Sequence, residues 1–421
     1  MPSRSHRASP RYAGLIVVAL AGTTPFLAPP AVLAASTGDV ALDQFTIKSG
    51  DGDTVFIPHT VFTNTNLSKD EISAMLSPDT PEADKQALAR KFKADKISAP
   101  SIEITGKDGA AIKLHDVVAS DVDAGRVGKF GLSSLDGAGT DNGSAVSVKS
   151  GTLLAEGLDV ADVLRAADGS GQGSQKGRLD HLIWSAIDIA TANSHDSSAK
   201  TSHIAIGSVE VHGGYSGDVL KEGWTKLTGV VVEPAPDSDE GKSLASLGYS
   251  RIELAVGVSA NYEIDAKTFS LDNFTVDGTQ MGSLALKANF NDVPPELFTG
   301  DSDSRVQSLF ECGVISLELR LVNAGLFEKT VAFYAKQEGS TPEALKQQWS
   351  AVVGQTAPMF LGGSPSVLKA AAETQKFIAS PRNLTIAIKA KDGALKATDF
   401  MAISDPVAFV GKLDIAAAAN Q

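Results

Sequence analysis

The residues best equipped for chemistry in this 421-residue sequence lie in one short stretch: His195, Asp196, His203, Glu210 and His212. Imidazole and carboxylate donors suit zinc, which needs convergent ligands at about 2.0–2.2 Å. In a regular strand His203 and His212 face opposite sides, because their positions differ by an odd number. A bulge at Gly207 would bring His203, Glu210 and His212 onto one polar face, and would align Ile204 and Ile206 with Val209 and Val211. Neighbours on a flat strand face rarely converge on one ion. The stretch therefore reads as a solvated strand face, with those three residues as outside metal candidates and no cofactor expected. His59 and the pair His115-Asp116 read as isolated surface histidines.

Other signatures fail on spacing. Glu240-Gly241-Lys242-Ser243 resembles the end of a phosphate loop, but Pro236 stands where that loop needs glycine, so the stretch reads as an exposed loop. Gly214-Tyr-Ser216-Gly217 puts its second glycine directly after the serine, one place too early for a nucleophile elbow. The pairs Asp51/Asp53, Asp121/Asp123 and Asp301/Asp303 sit in Gly/Ser-rich turns, where Asp accepts local backbone hydrogen bonds. Asp237-Ser-Asp-Glu-Gly lacks the spacing of a calcium loop. No catalytic residue is assigned, and the chain reads as a non-enzyme.

The N-terminus carries Arg4, Arg7 and Arg11 ahead of a short apolar run, then Ala31-Val-Leu-Ala34-Ala35. That is the layout of a cleavable secretory signal covering residues 1–34, and it predicts a soluble periplasmic protein. Pro25, Pro29 and Pro30 interrupt the run, so no transmembrane span is expected after cleavage. With Cys312 as its only cysteine, the chain has no internal disulfide and must rely on its core; the apolar context of Cys312 suggests a buried thiol. The net charge is −13, and loss of the three leader arginines takes it to −16. Such acidity repels phosphate backbones, which excludes nucleic acid as a partner.

These residues must be positioned by strands. Alternating apolar and polar residues flank turns at residues 49–53, at Lys107-Asp108-Gly109, at Asp141-Asn142-Gly143 and at Lys391-Asp392-Gly393, predicting hairpins in series. Residues 180–191 favour a strand by β-branched content, and three long strands follow between Tyr249 and Phe290. Residues 167–177 form a Gly/Ser-rich loop by composition. A capping box at Ser68–Glu71 and Thr80-Pro81-Glu82 predict a helical insertion over about 68–95. From Asn323 the spacing turns helical, with Ser340-Thr-Pro-Glu343 opening one helix, residues 366–379 another, and Asp405-Pro406 a short last one before a closing strand. The expectation is an α+β fold: a large curved antiparallel sheet over residues 35–322, and a helical cover with a closing hairpin over 323–421, packed on the same sheet.

The strands from Tyr249 to Phe290, Val293-Pro-Pro-Glu-Leu-Phe298 and the segment from Ala324 through the Ser340-Thr-Pro-Glu343 cap resemble a group of uncharacterised Gram-negative envelope proteins. The resemblance spans about the last 180 residues; it implies a periplasmic location and no activity. A signal peptide, a long meander and a helical cover are also similar, in architecture alone, to AsmA-like envelope proteins, whose curved sheets form apolar grooves for lipids. Strands such as Leu254-Ala-Val-Gly-Val and Leu284-Ala-Leu, whose small residues leave room on one face, fit a non-enzymatic protein offering an apolar surface to a lipid or an envelope partner. The rival readings are a secreted hydrolase built from dispersed Asp, Glu and His, and a scaffold in an envelope complex. The sequence does not set the oligomeric state.

Overall fold

The computed structural model describes residues 38–48, 52–77, 79–141, 143–159, 178–193, 201–217, 219–299, 302–401 and 405–421. The leader, the 167–177 loop, His195, Asp196, Asp51 and Asp301 lie outside them. The chain divides into two compact units. One holds the described residues of Met1–Ser198 with Ser208–Gly213, the other those of Ala199–Gly207 with Gly214–Gln421. The change to helix at Asn323 falls inside the second unit.

The first unit contains β1 (Gly38–Lys48), β2 (Thr54–Thr65), β3 (Lys93–Thr105), β4 (Ala111–Asp123), β5 (Arg126–Leu132), β6 (Ser134–Asp141), β7 (Ser144–Ser150), β8 (Leu153–Asp159) and β9 (His181–Asn193). β1 to β4 pair in sequence order, and β4 then pairs with both β5 and β6. Helices α1 (Lys69–Leu76) and α2 (Glu82–Lys91) interrupt the meander between β2 and β3. Ser68 caps α1 through a reciprocal box with Glu71. The helices bury Ile72, Met75 and Ala89, and Phe92 after them, against Val55, Phe62, Ile97 and Leu114 of the strands, with Phe92 edge-on to Phe62. This core needs no crosslink, because bulky side chains close it from both layers.

In the second unit, β11 (Val219–Glu233), β12 (Ile252–Glu263), β13 (Thr268–Gly278), β14 (Gly282–Asn291), β15 (Gly313–Asn323), β16 (Asn383–Ala390) and β17 (Leu413–Ala419) form one antiparallel run in sequence order. Helices occupy the connections: α3 (Asp239–Ser246), α4 (Glu296–Thr299), α5 (Ser302–Glu311), α6 (Leu326–Gln337), α7 (Pro342–Leu361), α8 (Pro365–Ala379), α9 (Ala397–Met401) and α10 (Pro406–Gly411). The antiparallel α+β class, the helical insertion and the helices of the C-terminal region agree with expectation.

Several local expectations need correction: Asp121 and Asp123, expected in a turn, belong to β4, and Asp303 belongs to α5. Lys391-Asp392-Gly393 turns the chain but makes no hairpin, because β16 already pairs with β15 and β17. Leu395 instead bridges Val314 through reciprocal backbone bonds of 2.8 and 2.9 Å. Glu240-Gly241-Lys242-Ser243 is not a loop but part of α3, where Gly241 donates its amide to the capping Ser238 hydroxyl.

Candidate apolar binding site

The strand β10 (Ser202–Ser216) carries the sequence-predicted metal candidates. His203 is exposed and belongs to the second unit, whereas Glu210 and His212 belong to the first. His212 stands beside His181, ring centroids 6.4 Å apart. A bulge nearby lies in β11, where the register against β12 shifts between Leu227 and Val230 and Gly229 adopts φ +62°. Among the described residues, no three His, Cys, Asp or Glu side chains gather to hold a metal ion. His59 meets Asp43 at 2.6 Å and His115 meets Asp136 at 3.4 Å, both at the protein surface.

The second unit concentrates a different property. Alternation, re-phased at bulges between Ser259 and Ala260, Leu271 and Phe274, and Asn289 and Phe290, sorts its strands into a polar and an apolar face. Val256, Val276, Leu284, Leu321, Leu384 and Ala419 are register partners in one row across β12–β17. Beside it runs Val258, Phe274, Leu286, Leu319, Ile386 and Ala417. A further row begins with Tyr262, Phe269 and Phe290. At about 4.8 Å between strands, six strands give a floor roughly 24 Å wide. The small residues Ala255, Gly257 and Ala285 lie on the opposite face, opposed to Asp277, Thr275 and Arg320. The room expected from them is therefore not on the apolar side.

Helices cover this face at its two ends. Phe377 of α8 and Phe327 of α6 pack on Leu321, Leu384 and Ile386. At the other end Tyr262 is buried under Phe298 of α4, ring centroids 4.8 Å apart, and its hydroxyl donates to the Val293 carbonyl at 2.8 Å. Burial pushes the Tyr262 phenol above its ordinary range, with nearby Glu296 acting the same way.

Beside Phe290 opens a recess of about 490 Å³, lined by Phe290, Leu309, Phe310, Cys312, Val314, Ala397 and Phe400. That volume lies within the roughly 300–1,000 Å³ of small-molecule sites. Phe290 and Val314 are set by paired strands, so one wall is rigid. Opposite them, the Leu395 bridge fixes the entry to α9, and Asp399 accepts from the Lys396 amide at 2.7 Å and from the Lys412 ammonium at 2.5 Å. Those bonds hold the Asp399 carboxyl below its usual range, the Lys412 contribution being the larger. The Lys396 ammonium ties α9 to the rest of the rim, donating to Asp292 at 2.6 Å and to the Glu311 carbonyl at 3.0 Å.

From α5, Leu309 and Phe310 reach the recess yet remain 58% and 55% exposed. Together with the recess they make an exposed apolar patch, unlike the singly scattered apolar residues of an ordinary surface. The Cys312 thiol is half-buried and donates to the Ser308 carbonyl, and burial pushes its pKa up despite nearby Lys396. It is thus a poor nucleophile at neutral pH and serves as apolar lining. Sequence reasoning missed α5 by reading Asp301 and Asp303 as a turn. The i, i+3, i+4 spacing of Val306, Leu309 and Phe310 was the available signal.

No helix among the described residues is long and apolar enough to cross a membrane. No curated protein matches the chain. A family model described as an uncharacterized protein does match, over residues 275–420, so the end of β13, β14 to β17, both walls of the recess and the helices between them are similar to a family of uncharacterised proteins.

Proposed function

We propose that this is an exported, non-enzymatic protein of the Gram-negative periplasm that takes the hydrocarbon tail of a lipid into the recess between α5, α9 and the ends of β14 and β15. The observation that carries the reading is the lining of that recess: aromatic and aliphatic side chains, with Leu309 and Phe310 left half in water. An occupant that buried them would gain about 25 cal/mol per Å² of apolar surface removed from water. The basic leader with its small-residue cleavage site supports export. The architectural similarity to AsmA-like envelope proteins fits a lipid partner, because both pair an antiparallel sheet with an apolar surface.

Organic extraction of the purified protein, followed by mass spectrometry, tests the reading. Copurifying fatty acid or phospholipid is the expected result, with less recovered from a Phe310→Asp variant. Protein that is empty and remains empty after incubation with long-chain fatty acid would refute it.

A further inference from the structure

Helices α7 and α8 form a second apolar feature, separate from the recess and independent of its occupant. They run antiparallel, packed closely at Gly354, where the Gln375 amide donates to the Ser350 carbonyl at 2.8 Å. Gly362, at φ +81°, and Gly363 turn the chain, and Ser364 caps α8 by accepting from the Val367 amide. The closed end of this hairpin is unusual for a surface. Met359 is 70% and Phe360 57% exposed, Leu361 and Leu368 are exposed beside them, and Val352 is exposed two turns further back on α7. Val407 of α10 continues the patch, lying against Gly362. Single exposed apolar residues are ordinary, but a cluster of this kind marks an interaction surface.

Charge selects the occupant. The chain is 21% charged, yet residues 347–368 contain no Asp, Glu, Lys, Arg or His. A protein partner with a charged epitope finds nothing complementary there. Without its leader, a second copy brings another net charge of −16, and anionic headgroups are repelled for the same reason. An uncharged bilayer surface meets neither objection, and it accepts Met, Phe and Leu side chains at the level of the acyl boundary. We propose that the α7–α8 tip, extended by Val407, seats in the surface of a zwitterionic phospholipid bilayer without crossing it.

Flotation of the full chain with phosphatidylcholine vesicles tests this. The wild type should float, and a Met359→Asp/Phe360→Asp variant should lose at least about tenfold in partitioning, since two inserted side chains are replaced by charges. Both positions are exposed, so the variant's thermal unfolding and fatty-acid uptake should be unchanged. Adding phosphatidylglycerol to the vesicles should weaken binding. Equal flotation of the variant, absence of wild-type flotation, or a wild-type dimer that the variant dissociates would each overturn the proposal. A Phe310→Asp variant that floats normally but takes up no fatty acid separates this surface from the recess.

Discussion

The rings of Phe400 and Phe409 lie 5.6 Å apart, tilted at 50°. Phe400 lines the recess from α9, and Phe409 belongs to α10, the helix that also carries Val407. The wall of the recess therefore leans on the element that borders the helical tip. Replacing Phe400 with alanine removes both a lining side chain and its support. Fatty-acid affinity should fall about tenfold or more, whereas global stability changes little because Phe400 is 43% exposed. Fluorescence displacement alongside urea unfolding checks both.

Cys312 offers a reporter inside the same hollow. Burial pushes its thiol pKa above the ordinary cysteine range, so alkylation by iodoacetamide should be slow at neutral pH and accelerate only in alkaline solution. Saturation with a long-chain fatty acid should slow it further. Alkylation as fast as that of free cysteine, or indifferent to the ligand, would remove Cys312 from the site.

The α9 wall should be sensitive to acid. Asp399 has its folded pKa lowered from 3.8, first by Lys412 and then by the Lys396 amide. Its contribution to holding α9 is complete above 3.8 and is lost as pH falls through the folded value. Fatty-acid affinity of the wild type should decline in that acid window, and Asp399→Asn should show the weakened affinity already at neutral pH. Titrations of both proteins across that window are the check.

The first unit has its own acid-labile fastening. The Glu71 carboxylate accepts from the Lys91 ammonium at 2.7 Å and from the Ser68 amide at 2.9 Å, which pull its pKa from 4.5 to about 2. The stabilisation is fully present above 4.5 and disappears as pH drops toward 2. Because Glu71 is substantially solvated, Glu71→Gln should cost only about 0.5–1 kcal/mol at neutral pH. Urea unfolding should show that difference shrinking to nothing in acid.

Much of the fold was legible because the sheet buries one face at a time. Alternation in Ile252–Glu263 marks that strand and its apolar side, and in Thr268–Gly278 it does so on either side of the bulge between Leu271 and Phe274. Helices were legible where a polar cap precedes a buried stripe, as at Ser68 and Thr341. The helix α3 escaped because it is short and buries little besides Gly241 and Leu244, leaving hardly any periodicity. The recess escaped for a different reason: Phe290, Leu309 and Phe400 come from three separate elements, and no spacing in the chain encodes their convergence. His203, Glu210 and His212 were conspicuous by type, yet they lie on one strand divided between the units.

The most direct measurement is calorimetric titration of the lipid-stripped protein with a long-chain fatty acid, beside the Phe310→Asp variant. The account predicts saturable one-to-one binding with a negative heat-capacity change for the wild type, as burial of apolar surface requires, and loss of that signal in the variant. Wild-type heats no larger than dilution, or equal binding by the variant, would contradict it.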